Sequence, residues 1–228
     1  MTQPLGKRET KQAQLRHGAL ASFLVHHKQG GHISKVRIDD ICADVSTTKV
    51  TLFTHFPTKE DILLYGQRRF EYELAVVSAQ EQGQGVKGVV RFFDMAARFL
   101  GDDPPLASSL IQVLTLRSDT SPLTQYPGED RRAFYPGHSS YWGIPTPPAE
   151  IFLLRRVNEA MVQGEIASAT EPGAVAEGLK ALWLGIPLAQ GSETGLKQSY
   201  GQVLKPLFEG IGANDSALSL IEQVLIPS

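Results

Sequence analysis

Apolar side chains along this chain of 228 residues return mostly every third or fourth position, and the strict alternation of a half-buried strand is nearly absent. Leu15, Ala19 and Phe23, with Leu20 and Leu24 beside them, predict an amphipathic helix over residues 7–28, stopped by Gly30-Gly31. Ile38, Ile41, Cys42 and Val45 share one face of a short second helix. Ser46-Thr47 turns the chain, a third short helix covers residues 48–55, and Pro57 closes it. Thr58-Lys59-Glu60-Asp61 has the form of a helix start, threonine at the cap and acids in the first turn, and the pattern continues to about residue 79. The stretch EQGQG then breaks it. Further helices are expected over 86–100, from Pro104-Pro105 to near Arg117, and over 148–163, 173–190, 195–211 and 215–225. Residues 118–149 hold six of the fourteen prolines and read as a long loop. Its aromatics Tyr126, Phe134, Tyr135, Tyr141 and Trp142 argue for packing rather than free disorder. The expected fold is all-α, with eight to ten helices and no sheet.

Charge changes this picture more than composition does. The net charge is −2, but residues 1–70 carry 11 Lys/Arg against 6 Asp/Glu, so the remainder of the chain is acidic. A basic end on an acidic body is the asymmetry expected when that end meets a polyanion. The single cysteine, Cys42, excludes a disulfide framework within the chain and a multi-cysteine zinc site. The first residues contain no apolar signal core and no run is long enough to span a bilayer, so a cytoplasmic location is expected.

The stretch STTKVTLFTHF, residues 46–56, is too polar for a buried segment and too apolar for a loose one. Leu52 and Phe56 lie four apart and can anchor inward together, which turns Lys49, Val50, Phe53 and Thr54 to the other side. A lysine, hydroxyls and small apolar groups suit a DNA major groove, where they can meet phosphate, base edges and thymine methyls. Thr48 is placed as the N-cap, leaving backbone N–H groups that favour a nearby phosphate. Periodicity alone fits equally well a three-helix core whose outer face is merely solvated.

The run from Arg37 to Leu64, RIDDICADVSTTKVTLFTHFPTKEDILL, resembles the DNA-binding signature of the TetR family of bacterial transcriptional regulators. The shared core is I-D-D-I followed by K-x-T-x-aromatic-x-H-F-P-x-K-E-D at the same spacing. The resemblance implies a three-helix helix-turn-helix DNA-binding domain, residues 1–57, followed by a helical ligand-binding and dimerisation domain, residues 58–228. It places Thr48, Lys49, Thr51, Phe53, Thr54 and His55 on a recognition helix, and Lys59 where a basic residue reaches phosphate. Some positions depart from the family pattern. Ser46-Thr47 stands where Gly-Val is usual, and Val50 replaces a smaller residue, with a thymine methyl as its possible contact. Phe53 replaces tyrosine, and Arg37 replaces a threonine cap while adding a phosphate-binding cation.

Beyond that stretch the residues say less. There is no GxxxxGK[ST], HExxH or GxSxG, no cofactor is expected, and Glu-Asp-Arg-Arg at 129–132 reads as a solvated charge run. His26 and His27 are adjacent on a helix and point to different sides, so they do not suggest a shared metal. Phe92, Phe93, Phe99, Leu110, Leu114, Tyr141 and Trp142 are candidates to line a cavity, with Arg91 and Arg117 to orient a polar ligand group; ordinary core is the plainer reading of each. The resemblance implies an inducer among these middle helices. Leu179, Leu182, Trp183 and Ile186, with Val203, Leu207, Phe208 and Ile211, carry enough apolar surface for a four-helix interface between two copies.

These readings combine into a homodimeric, ligand-responsive regulator, most simply a repressor, that binds a near-palindromic operator and is released by a small-molecule inducer. The alternatives are a helical small-molecule-binding or enzymatic protein with a vestigial helix-turn-helix, and an adaptor that binds another protein through its basic end.

Overall fold

A computed structural model describes residues 5–80, 85–101, 103–116, 124–167, 169, 171–189 and 192–226. Among these, eleven α-helices and three short 3-10 turns account for the regular structure, and there is no strand. The all-α expectation is met. Arg117 and residues 81–84, to which the expected ligand contact and most of the expected helix break were assigned, lie outside the described residues.

The chain divides into two compact units. The first comprises residues 1–76 and 108–146, and so takes in the whole of 1–57 together with later segments. Helix α1 (Lys7–Gly30) packs on α2 (Ile38–Asp44) and on α7 (Gly128–Phe134), and α3 (Lys49–His55) follows α2 after a tight turn. Gly31 ends α1 at φ +70°, donating its N–H to His27 O at 2.7 Å, the left-handed cap that a glycine takes without steric cost. The core joins Ala19, Leu20 and Phe23 of α1, Ile41 and Cys42 of α2, Leu52 of α3 and Phe56, with Ile62, Leu63 and Tyr65 of α4 (Lys59–Gln80). The start of α4 is capped as expected. Thr58 Oγ1 accepts from Asp61 N, while Asp61 Oδ2 accepts from Thr58 N at 2.9 Å and from its hydroxyl at 2.8 Å.

Residues 118–149 are not simply a loop. They contain α7 and a 3-10 segment, Pro136–Tyr141. The organiser is Arg131, which is buried and donates to the carbonyl oxygens of Tyr126, Trp142 and Ile144 and to Thr146 Oγ1 at 2.9–3.1 Å. One guanidinium thereby fixes a segment whose prolines cannot donate backbone hydrogen bonds. The expectation of a solvated charge run at 129–132 is corrected accordingly: Asp130 and Arg131 are interior groups.

The second unit comprises residues 77–107 and 147–228. Helix α5 (Gly85–Leu100) packs against α8 (Ala149–Val162), α10 (Glu193–Gly210) and α11 (Asp215–Leu225), and α9 (Pro172–Gly185) packs on α8. Phe92 sits at the centre, its ring 5.3 Å from Phe93, 5.4 Å from Trp183 and 6.1 Å from Phe152, while Phe93 meets Tyr200 at 4.8 Å. α5 and α8 close tightly at Gly88, where an added Cβ would lie 2.3 Å from Arg156 Cδ. Helix α6 (Pro104–Leu116) gives residues 104–107 to this unit and 108–116 to the first.

Candidate nucleic-acid interface

The turn between α2 and α3 sets the angle at which α3 leaves the protein. Ser46 holds φ +50°, a left-handed conformation rare for a residue with a Cβ, and Thr47 N closes the turn on Cys42 O at 2.9 Å. Thr48 then caps α3, its hydroxyl accepting from Thr51 N at 3.2 Å. Leu52 and Phe56 point inward and are almost completely buried. Together they contribute roughly 3–6 kcal/mol of apolar burial, enough to fix which side of so short a helix faces out.

What faces out is the expected ridge. Val50 is 79% exposed and Phe53 41%, two apolar side chains on the same outward side of α3. Lys49, Thr51 and Thr54 are exposed beside them. Lys49 Nζ meets Asp39 Oδ1 at 2.7 Å, a surface pair that costs little to exchange for an acceptor on a base edge. Thr54 donates its hydroxyl to Val50 O at 2.9 Å and remains exposed beside the valine. Arg37 is exposed at the start of α2 and makes no side-chain cap. Lys59 is half-buried, its amine 3.4 Å from Val36 O, so it is less free than Arg37. All nine residues expected at a DNA contact thus lie wholly or partly on the surface of the first unit.

His55 belongs partly to the interior. Its Nδ1 lies 3.4 Å from Arg16 Nη1, and burial, with the Arg16 charge second, lowers its pKa. Arg16 in turn is clasped by α7: Nε to Asp130 Oδ2 at 3.0 Å, Nη2 to Asp130 Oδ1 at 2.5 Å and to Glu129 Oε1 at 2.9 Å. Tyr65 adds its hydroxyl to Asp130 Oδ2 at 2.6 Å. Burial opposes charge on Arg16, yet Asp130 and Glu129 more than offset it, and its pKa is raised. This cluster ties the end of α3 to α1, α4 and α7.

The other expected sites fare unevenly. Leu179, Trp183 and Phe208 are buried within the second unit, so the expectation that they face a partner subunit is corrected. Leu182, Ile186, Leu207 and Ile211 are half-buried and Val203 is 39% exposed. Of the cavity candidates, Phe92 and Phe93 are close-packed in the second unit, with Phe99 half-buried there, and Leu110 is buried in the first. Leu114 is exposed, and Tyr141 and Trp142 are half-buried around the Arg131 staple. Arg91 faces Asp94 at 3.7 Å. His26 pairs with Asp44 at 2.9 Å whereas His27 reaches Ser109 at 2.8 Å. No cluster with metal-ligand composition occurs among the described residues, nor any helix long and apolar enough to cross a membrane.

No family model matches the sequence, and no curated protein matches it. Solved structures do. A TetR family protein, CprB from S. coelicolor A3(2), superposes with a TM-score of 0.64 at 16% identity, covering 94% of this chain and 98% of that one. Two structures of a gamma-butyrolactone receptor described as ArpA-like give TM-scores of 0.62 and 0.59, each at 17% identity. They cover 94% and 93% of this chain and 98% and 97% of theirs. The chain has the fold of TetR family regulators.

Proposed function

We propose that this chain is a TetR family transcriptional regulator that reads duplex DNA with α3. The observation that carries the reading is the exposed Lys49–Val50–Phe53–Thr54 ridge, held outward by Leu52 and Phe56 in a chain with this fold. Residues 1–57 form the DNA-binding domain and residues 58–228 the ligand-binding and dimerisation domain. The active species is a homodimer. Leu182, Ile186, Val203, Leu207 and Ile211, which keep accessible apolar surface, belong to the interface between copies. Each copy inserts α3 into a major groove, the two lying roughly 34 Å or slightly more apart on a near-palindromic operator.

The protein acts as a repressor in the cytoplasm and is not an enzyme. A small-molecule inducer releases it by preferring a conformation in which the two reading helices no longer match that spacing. The fold shared with gamma-butyrolactone receptors supports a small organic ligand. The test is selection of duplexes from a random pool by the purified protein, with its mass in solution measured alongside. A dimer that enriches a two-fold symmetric sequence supports the reading. A monomer, or an unenriched pool, overturns it.

A further inference from the structure

Beside the reading ridge, a cleft of about 430 Å³ opens between the first turns of α1 and the flank of α3. Lys7, Arg8, Lys11, Gln12 and Leu15 line one wall, Thr51 and His55 the other. Lys7, Arg8 and Lys11 are all exposed, and none has an acidic partner among the described residues. Four other cations of the same unit are engaged, Arg16 with Asp130, Lys49 with Asp39, Arg68 with Glu71 and Arg69 with Glu73, whereas Lys28 and Arg37 are not among the described residues. The nearest acid on α1, Glu9, is occupied elsewhere. Its Oε2 accepts from Gly6 N at 2.9 Å and its Oε1 lies 3.6 Å from Arg132 Nη2. Lys7 and Lys11 are four apart, and Arg8 and Lys11 three apart, spacings that stack like charges on one helix face and destabilise it unless an anion intervenes.

We infer that this cleft is a second grip on the DNA, in which Lys7, Arg8 and Lys11 hold the phosphodiester backbone flanking the base edges that α3 reads. The inference rests on the regulator reading and extends it to the neighbouring backbone. Thr51 can donate its hydroxyl to the same phosphates, so one wall of the cleft is continuous with the reading helix. Contacts of this kind fix register and orientation and carry no sequence information.

The experiment compares Lys7→Ala/Lys11→Ala with the parent chain on a selected duplex and on an unrelated one, across a salt series. Alanine is the best helix former, so α1 is retained, and circular dichroism checks this. The slope of log affinity against log salt becomes shallower by about 3.6 for the bound dimer, near 0.9 for each of the four cations removed. Affinity falls by a similar factor on both duplexes. Lys28→Ala is the control: Lys28 is exposed and without an acidic partner among the described residues, and lies about 30 Å further along the same helix from Lys7. Its slope stays with the parent, and Lys7→Arg/Lys11→Arg restores the parent slope. A double variant that behaves like Lys28→Ala, or a loss confined to the selected duplex, overturns the inference. A parent chain that prefers no duplex overturns the regulator reading instead, and the slope difference on unrelated DNA still tests the cleft.

Discussion

Arg16 on α1 lies side-on against Asp130 on α7, two guanidinium nitrogens meeting two carboxylate oxygens across 114 positions of sequence. Both groups are buried, and Asp130 is completely so. Breaking such a pair costs far more than it contributed, because one charge stays behind without its counterion. Asp130→Ala is therefore expected to destabilise the protein by about 3–5 kcal/mol, towards the low end since Glu129 remains beside Arg16. Arg16→Met/Asp130→Leu, which removes both charges, recovers most of the loss. Urea unfolding midpoints measure both; an Asp130→Ala midpoint equal to the parent's refutes this account of the cluster.

Two neighbours on α3 should separate stability from recognition. Leu52→Ala empties a fully buried site and is expected to cost about 2–5 kcal/mol. Val50→Ala, on the exposed ridge, should leave stability within about 0.5 kcal/mol of the parent and change DNA preference instead. Thermal unfolding paired with duplex binding distinguishes the two effects.

Ser46 carries backbone strain that glycine would relieve. Ser46→Gly is expected to leave the protein as stable or to stabilise it by up to about 1 kcal/mol, the relief being partly cancelled by the freer unfolded chain. Ser46→Val places a β-branched residue at φ +50° and should destabilise by more than 1 kcal/mol, on the order of the strain at such positions. Denaturant titration of the two variants checks the sign of each change.

His17 and His55 both have lowered pKa values, from burial first and then from Arg69 and Arg16 respectively. The unfolded chain therefore binds more protons than the folded one just below neutrality. The stability linked to these groups is complete above the ordinary histidine pKa near 6.5 and is lost as pH falls through it towards the lowered folded values. Stability should decline on acidification across that window, and His17→Gln/His55→Gln should flatten the decline. A parent and variant with parallel pH profiles would contradict the assignment.

What could be read from the sequence was local. Leu52 and Phe56 lie one helical turn apart, and that spacing alone oriented α3 and located its outer ridge. The Arg16 cluster was illegible because no pattern near residue 16 points to residue 130. The Arg131 staple was hidden in another way: prolines and glycines recur through its neighbourhood, while most of its acceptors are backbone carbonyls, which every sequence has. Trp183 and Phe208 show a third limit. An apolar helix face has the same period whether it packs on its own chain or on a second copy, and here the rings of Phe92 and Trp183 meet inside one unit.

The central claim is that the exposed face of α3 reads base sequence. Its most direct test is the ratio of affinities for the selected duplex and a scrambled one, measured at fixed salt for the parent chain and for Lys49→Ala/Thr54→Ala. The account predicts that the parent discriminates by at least a thousandfold, the low end for specific binders, and that the double variant loses on the order of tenfold or more of that ratio while unfolding normally. An unchanged ratio would contradict it.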